Sequence, residues 1–255
     1  MFKENRPFWI YIIGIIVLMV FLYFVMVSYE FPFVGFLTGK PDEKEFKYDE
    51  VPVMAIQSSK DYRAKVHTNK GTIEIDLYED NAPQAVNSFV FLSNEGYYEE
   101  VKFHRVIKDF LVQVGSRNTV NDDPDDDALG YPGYYFDDEI NWSSLGLDKT
   151  KQDELAGAGY SNDTKVQSRR LEKYSVAMAN AGPDTNGSQF FILLASSSDS
   201  RIEKLQGRHT VFGSVVSGFD VLEKLNDAPV ENPENETLSR PKGDYHITSI
   251  EIVAL

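Results

Sequence analysis

"FHRVIKDFLVQVG", residues 103–115, sets two short apolar runs on either side of Lys108-Asp109, and each run carries one long polar side chain. Arg105 stands between Phe103 and Ile107, and Gln113 between Leu111 and Gly115. Read as strands, alternate side chains share a face. That predicts Arg105 on the face of Phe103 and Ile107, and Gln113 on the face of Leu111. A fixed cation and an amide set among hydrophobes are either surface salt-bridge partners or parts of a site. The runs themselves leave both readings open.

The neighbouring sequence has the same texture. "RAKVHTN" and "TIEIDLY" alternate around the turn pair Lys70-Gly71 and predict a hairpin. "NAPQAVNSFVFLSNEG" then changes period. Pro83 suits a first helical turn, Ala85, Val86, Phe89, Val90 and Leu92 form a helical stripe, and Gly96 stops it. Further strands are predicted at 174–179, 189–194, 210–216 and 246–253. A second helix fits "GFDVLEKLND", with Phe219, Leu222 and Leu225 on one side. Many strands and two helices predict a mainly β domain built as a closed barrel. Residues 117–172 interrupt this pattern with a long polar stretch rich in Asp, Gly and Ser, the kind of connection that tends to carry function or mobility.

Composition narrows the function classes. The 255 residues hold 25 Lys plus Arg against 40 Asp plus Glu, a formal net charge of −15. A nucleic-acid backbone needs a basic surface, so nucleic acid is excluded as a partner. There is no cysteine, which removes disulfides, zinc–cysteine sites and thiol nucleophiles. No phosphate loop, nucleophile elbow or histidine metal pair is present. "DDPDDDALG" has the carboxylates of a calcium loop, but with Asp123 as the first ligand the glycine required at the sixth position is Ala128. The spacing fails, and the segment reads as a solvated acidic loop, with a weak divalent-cation site as the alternative. No metal and no cofactor are expected.

"FWIYIIGIIVLMVFLYFVMV", residues 8–27, contains no charge and is long enough to cross a bilayer as a helix. Val25-Met26-Val27-Ser28-Tyr29 offers no small-residue cleavage site, so the segment reads as an uncleaved single-pass anchor. Lys3 and Arg6 precede it, and the first cation after it is Lys40. The positive-inside rule then places residues 1–7 in the cytoplasm and the rest of the chain on the far side. Residues 28–61 read as a linker and 62–255 as the folded domain.

Three stretches carry the chemistry: "FHRVIKDFLVQVG", "SVAMANAGPDTNGSQFFI" at 175–192 and "LQGRHTVFGSVVSGFDVLEKL" at 205–225. Together, and in this order, they resemble the cyclophilin family of peptidyl-prolyl cis-trans isomerases, and the similarity runs from about Tyr62 to Leu255. The resemblance implies a closed eight-stranded antiparallel barrel capped by two helices, with the site on its outer face. It implies that Arg105 is the catalytic cation and that Gln113 orients it and bonds substrate backbone. Phe110, Leu111 and Phe191 would line a pocket for the proline ring, with Leu205 at its wall and His209 at its edge. Ala179 and Asn180 would offer backbone groups to an extended peptide, and Gln189 would line the neighbouring pocket.

Three departures from the family stand out. Leu111 replaces a common methionine, which conserves volume. Val114 stands where glycine is usual, which predicts a slight shift of that strand. Lys204 stands where many members carry Trp or another aromatic, which predicts weak binding of cyclosporin-type ligands. The implied partners are Pro-containing segments of client proteins and, through residues 8–27, the membrane. The alternative function is a non-catalytic module that holds Pro-containing peptides or a membrane complex. Retention of Arg105, Phe110, Gln113, Phe191 and His209 favours the enzyme.

Overall fold

A computed structural model describes residues 46–57, 60–121 and 123–255. Eight strands alternate with four helices. The order is β1 (Tyr62–Thr68), β2 (Gly71–Leu77), α1 (Pro83–Asn94), β3 (Arg105–Ile107) and β4 (Leu111–Val114). It continues with α2 (Lys149–Gly157), β5 (Ser175–Met178), β6 (Phe190–Leu193), α3 (Ser200–Leu205), β7 (Val211–Ser217), α4 (Phe219–Asn226) and β8 (Ile247–Ala254). The sequence supplied two of the helices; α2, inside the 117–172 segment, and α3 are additions. Short helices with weak apolar stripes give little periodic signal.

The strands form one antiparallel sheet in the order β3-β4-β6-β5-β7-β2-β1-β8. The expected closed barrel is corrected here: β3 and β8 end the order, and no ladder joins them among the described residues. The chain just before each of them spans the gap instead, through a single bridge between Lys102 and His246. Phe103 N–H donates to Tyr245 and Ile247 N–H to Val101, each at 2.9 Å.

Strand alternation sorts the side chains of the curled sheet into two apolar clusters. The inner face carries Val66, Ile75, Val106, Val112, Val176, Phe190, Ile192 and Phe212, sealed by Phe89 and Leu92 of α1 and by Val221, Leu222 and Leu225 of α4. Phe89 meets Phe190 and Phe212 with ring centroids 5.5 and 5.4 Å apart. The outer face carries Ile107, Leu111, Ala177, Phe191, Leu193 and Val211. Phe103 departs from expectation. Residues 103 and 104 lie outside any strand, which breaks the alternation, and Phe103 joins the inner cluster rather than Arg105's face. On α4 the buried face uses Val221, while Phe219 stays 38% exposed against the Tyr174 ring. Val114 is fully enclosed, and the β4–β6 register runs unbroken from Leu111↔Leu193 to Val114↔Phe190. Gly115 then ends β4 with φ +105°, where a Cβ would lie 2.4 Å from the Ser188 carbonyl oxygen.

The insertion braces the helix that seals the core. Ala82 offers α1 no side-chain cap. Glu139 supplies one from 55 residues away, its carboxylate accepting from the N–H groups of Gln84 and Ala85 at 2.8 and 2.9 Å. Burial pushes its carboxyl up to about 7, against the downward pull of those two bonds.

Residues 46–57, assigned to the linker from sequence, lie against the domain. Phe46 meets the Tyr97 ring edge-on and Tyr48 meets Phe91. The side chain of Asn87, 2% exposed, accepts from Ala55 and Ile56 and donates to Pro52 and Val53. No periodicity marks the segment, because one buried amide and two rings hold it rather than a repeating face. The span 8–27 lies outside the described residues, among which no helix is long and apolar enough to cross a membrane.

Asn87→Ala removes both partners of this segment's backbone at once. It is expected to cost about 2–3 kcal/mol, since four part-buried hydrogen bonds are lost and the Asn87 site is left empty. Limited proteolysis should cut within residues 46–57 before the rest of the domain; parental resistance would refute the assignment.

Candidate active site

Adjacent outward positions of β3, β4 and β6 form the centre of the site. The register pairs Arg105 with Gln113 and Gln113 with Phe191, so their side chains project from one face of three neighbouring strands. Arg105 Nη1 donates to Gln113 Oε1 at 3.0 Å and its Nε to the Glu236 carbonyl at 2.8 Å. Nη2 has no partner among the described residues. Gln113 Nε2 donates to Gln189 Oε1 at 3.0 Å, and Gln189 Nε2 donates to the carbonyls of Ala128 and Gly130 at 2.8 and 2.9 Å. The result is one polar row, Arg105–Gln113–Gln189, held at each end by main-chain carbonyls. Burial lowers the Arg105 pKa, opposed by the charge of Glu236. A guanidinium remains charged at neutral pH even so.

Beside the row lies the outer apolar cluster. It joins Phe110, Leu111 and Phe191, which are 6%, 3% and 3% exposed, with Leu205 packed against them from the end of α3. The Arg201 guanidinium lies over the Phe110 ring at 4.1 Å and pairs with Asp199 at 2.7 Å. The sequence reading missed Arg201, although its place one turn ahead of Leu205 is a usable signal. His209 stands edge-on to Phe191 with centroids 5.2 Å apart, and its Nδ1 is 3.0 Å from the Met178 carbonyl. Lys204, next to Leu205, is exposed beside Arg208 in a groove bordered by α2.

The far side of the row is shaped by the insertion. A cavity of ≈ 220 Å³ opens there between Gln113, Gln189, Asn180 and the rim residues Leu129, Tyr131 and Tyr135. The two tyrosines stack with centroids 4.9 Å apart. Asn180 Nδ2 donates to the Arg208 carbonyl at 2.8 Å, and no backbone bond of Asn180 is made among the described residues. Ala179 differs from expectation in one respect: its N–H is committed to the Gln189 carbonyl at 2.9 Å. Buried Asp138, also from the insertion, accepts from Asn186 Nδ2 and from Asp184 N–H and so fixes the 180–186 loop. The carbonyls of Glu236, Ala128 and Gly130 have no sequence signature, since any residue supplies one.

All the expected site residues therefore converge on one outer face. Among the described residues no cluster of three or more His, Asp or Glu is arranged to hold a metal. The arrangement sets a fixed cation and an apolar cluster on one outer face, suited to an uncharged polar group next to an apolar one, as in an X-Pro amide.

Comparison with known proteins places the chain in a family. The sequence pattern of the "Cyclophilin type peptidyl-prolyl cis-trans isomerase/CLD" family matches residues 63–252. The chain belongs to that family and is a peptidyl-prolyl cis-trans isomerase. It is 38% identical over 177 residues to peptidyl-prolyl cis-trans isomerase ppi1 of Schizosaccharomyces pombe, covering 66% of this chain and 91% of that one. Against peptidyl-prolyl cis-trans isomerase-like 2 of Rhizopus delemar it is 35% identical over 214 residues, which is 83% of this chain and only 31% of that longer protein. A Cryptosporidium parvum cyclophilin type isomerase, solved in the presence of the dipeptide Ala-Pro, superimposes with a TM-score of 0.56 at 27% identity. The match covers 75% of this chain and 98% of that one.

Burial lowers the pKa of His104 and of His209 to about 4 in each case. Solvent still reaches an edge of the His209 ring, which moderates the effect there, whereas His104 is only 7% exposed. With a folded pKa below the unfolded value near 6.5, the unfolded state binds the extra proton. His104 should then reduce stability as pH falls from about 6.5 to 4, by up to about 3 kcal/mol, with no further change below. Glu139, raised by burial, acts in the opposite direction, so the histidine share is the difference between the parent and His104→Gln. Urea midpoints measured from pH 7 to 4 should fall less steeply in the variant; equal slopes would remove His104 from the account.

Proposed function

We propose that Arg105 catalyses rotation about X-Pro bonds by donating to the amide nitrogen of the twisted state. Amide resonance makes this rotation slow, with a barrier of ~18–20 kcal/mol. At the top of the barrier the nitrogen lone pair is no longer delocalised. A donor directed at that nitrogen stabilises the twisted state more than either planar state, which is the condition for catalysis. The reaction needs no nucleophile and no proton transfer. The observation that carries this reading is the polar row. Gln113 and the Glu236 carbonyl occupy Nη1 and Nε of Arg105, Nη2 has no partner among the described residues, and the cluster of Phe110, Leu111 and Phe191 shares the outer face. The depression takes the proline ring, Leu205 and His209 bound it, and Gln113 with the Asn180 backbone holds the flanking peptide.

Arg105→Ala is expected to lower kcat/KM by roughly 10²–10³-fold, as for loss of one transition-state donor. The fold should persist, because Arg105 lies outside the inner core. A protease-coupled peptide assay on the purified full chain measures the rate, and parental activity in a folded variant would end this mechanism.

The proposal extends to location and ligands. Residues 8–27 anchor the chain in a membrane, and the isomerase domain lies on the extracytoplasmic side, where it assists folding of client proteins. The length of the uncharged span and the Lys3 and Arg6 bias support this. Residues 28–45 reach about 60 Å when extended, so the domain meets clients away from the bilayer. Protease added to intact cells or spheroplasts should release an active fragment beginning ahead of Phe46. A domain shielded until the membrane is broken would reverse the orientation.

Cyclosporin-type ligands bind weakly, because Lys204 provides no aromatic surface beside Leu205. Lys204→Trp should tighten their binding through apolar area and an indole donor, as read by inhibitor titration. Equal inhibition of parent and variant would show that the position matters little.

A further inference from the structure

The acidic insertion reads from sequence as a solvated loop, yet one of its carboxylates is largely enclosed. The Asp127 side chain is 14% exposed, and its Oδ2 lies 2.9 Å from Nη2 of Arg240. The same Arg240 nitrogen donates to the Pro124 carbonyl. A second carboxylate, that of Glu231, stands 4.0 Å from Arg240 Nη1. Burial raises the Asp127 pKa, with Arg240 pulling it down, as expected for a carboxylate taken out of water toward a single close cation.

The position of this pair in the chain gives it meaning. Asp127 directly precedes Ala128, and the Ala128 and Gly130 carbonyls receive the Gln189 amide. Arg240 directly follows Ser239, whose carbonyl accepts from Val106 N–H at 2.8 Å, and the Glu236 carbonyl just before it accepts from Arg105 Nε. The two loops that aim the two ends of the Arg105–Gln113–Gln189 row are therefore joined to each other by Asp127–Arg240. Neither loop belongs to the sheet. The outer apolar cluster, by contrast, rests mainly on β4, β6 and α3, and it meets these loops through the exposed Arg201–Glu236 pair at 3.8 Å.

We propose that the Asp127–Arg240 ion pair is a clasp that positions the Arg105 guanidinium, which makes the acidic insertion part of the catalytic machinery. The inference rests on the reading of Arg105 as the donor to the twisted amide. Asp127 and Arg240 are positioning residues and touch no substrate. A half-buried pair is screened less than a fully exposed one, and removing Arg240 leaves the Asp127 carboxylate without its close cation. Misplacing a catalytic donor by a fraction of an ångström costs rate. The loss should fall on kcat, since the proline depression stays intact.

The test uses the purified full chain with Asp127→Ala, Arg240→Ala and the double variant. Catalysis is measured by exchange spectroscopy at saturating and limiting peptide, and the Arg105 Nε–H signal by hydrogen exchange on arginine-labelled protein. Each single variant should lower kcat about tenfold and move KM less than twofold. The double variant should be no slower than either single, as for two residues that act as one unit. Exchange at Arg105 Nε–H should speed up in all three. Asp127→Asn and Arg240→Gln, which remove the charge but keep a polar side chain, serve if an alanine variant unfolds. Folded single variants with parental kcat and a protected Nε–H, or single effects that multiply in the double, overturn the clasp. Arg105→Ala run alongside separates the two failures. Full activity there removes the reading of Arg105, whereas a slow Arg105→Ala beside fast clasp variants removes the clasp alone.

Discussion

A guanidinium held half-buried against an apolar face must have its donors satisfied and its direction fixed, and the site depends on how this chain meets that demand. Arg105 cannot lose its charge, and burial makes each uncommitted N–H costly. Its fork is spent on one side chain and one carbonyl, Gln113 and Glu236, and Nη2 has no partner among the described residues. Gln113 is fixed in turn by Gln189, and Gln189 by two carbonyls of the insertion. Apart from Nη2, each side-chain nitrogen of the row has an acceptor one step further out, so the direction of the cation is inherited from the main-chain carbonyls at its ends.

The single sheet makes this arrangement possible. Strand alternation gives the same residues two tasks: Val106, Val112, Phe190 and Ile192 build the core, while Arg105, Gln113, Phe191 and Leu193 between them build the site. A register slip of one residue would exchange the two sets, burying a charge among Phe89, Phe190 and Phe212. The stability of the core thus enforces the strand register on which Arg105 and Gln113 sit.

The insertion contributes at three places outside itself. Glu139 caps α1, Asp138 holds the 180–186 loop, and the Ala128 and Gly130 carbonyls hold Gln189. Its acidity is therefore not uniform in role: some carboxylates serve as buried acceptors and others remain in solvent. The stacked Tyr131 and Tyr135 add an apolar rim to the cavity beside Gln189.

The sequence by itself determined the strand pattern, the two long-period helices and the polar pair Arg105 and Gln113, because periodicity and an odd residue in an apolar run are local signals. Three motifs in order were enough to indicate the family. Only the tertiary structure decided what holds the pair in place. Carbonyls at 128, 130 and 236 carry no side-chain mark, and a cap such as Glu139 acts across 55 residues. The same holds for the inward turn of Phe103, the open join between β3 and β8, and the segment 46–57 clipped to Asn87. Each depends on which backbone groups meet once the sheet has curled, and no spacing along the chain encodes that.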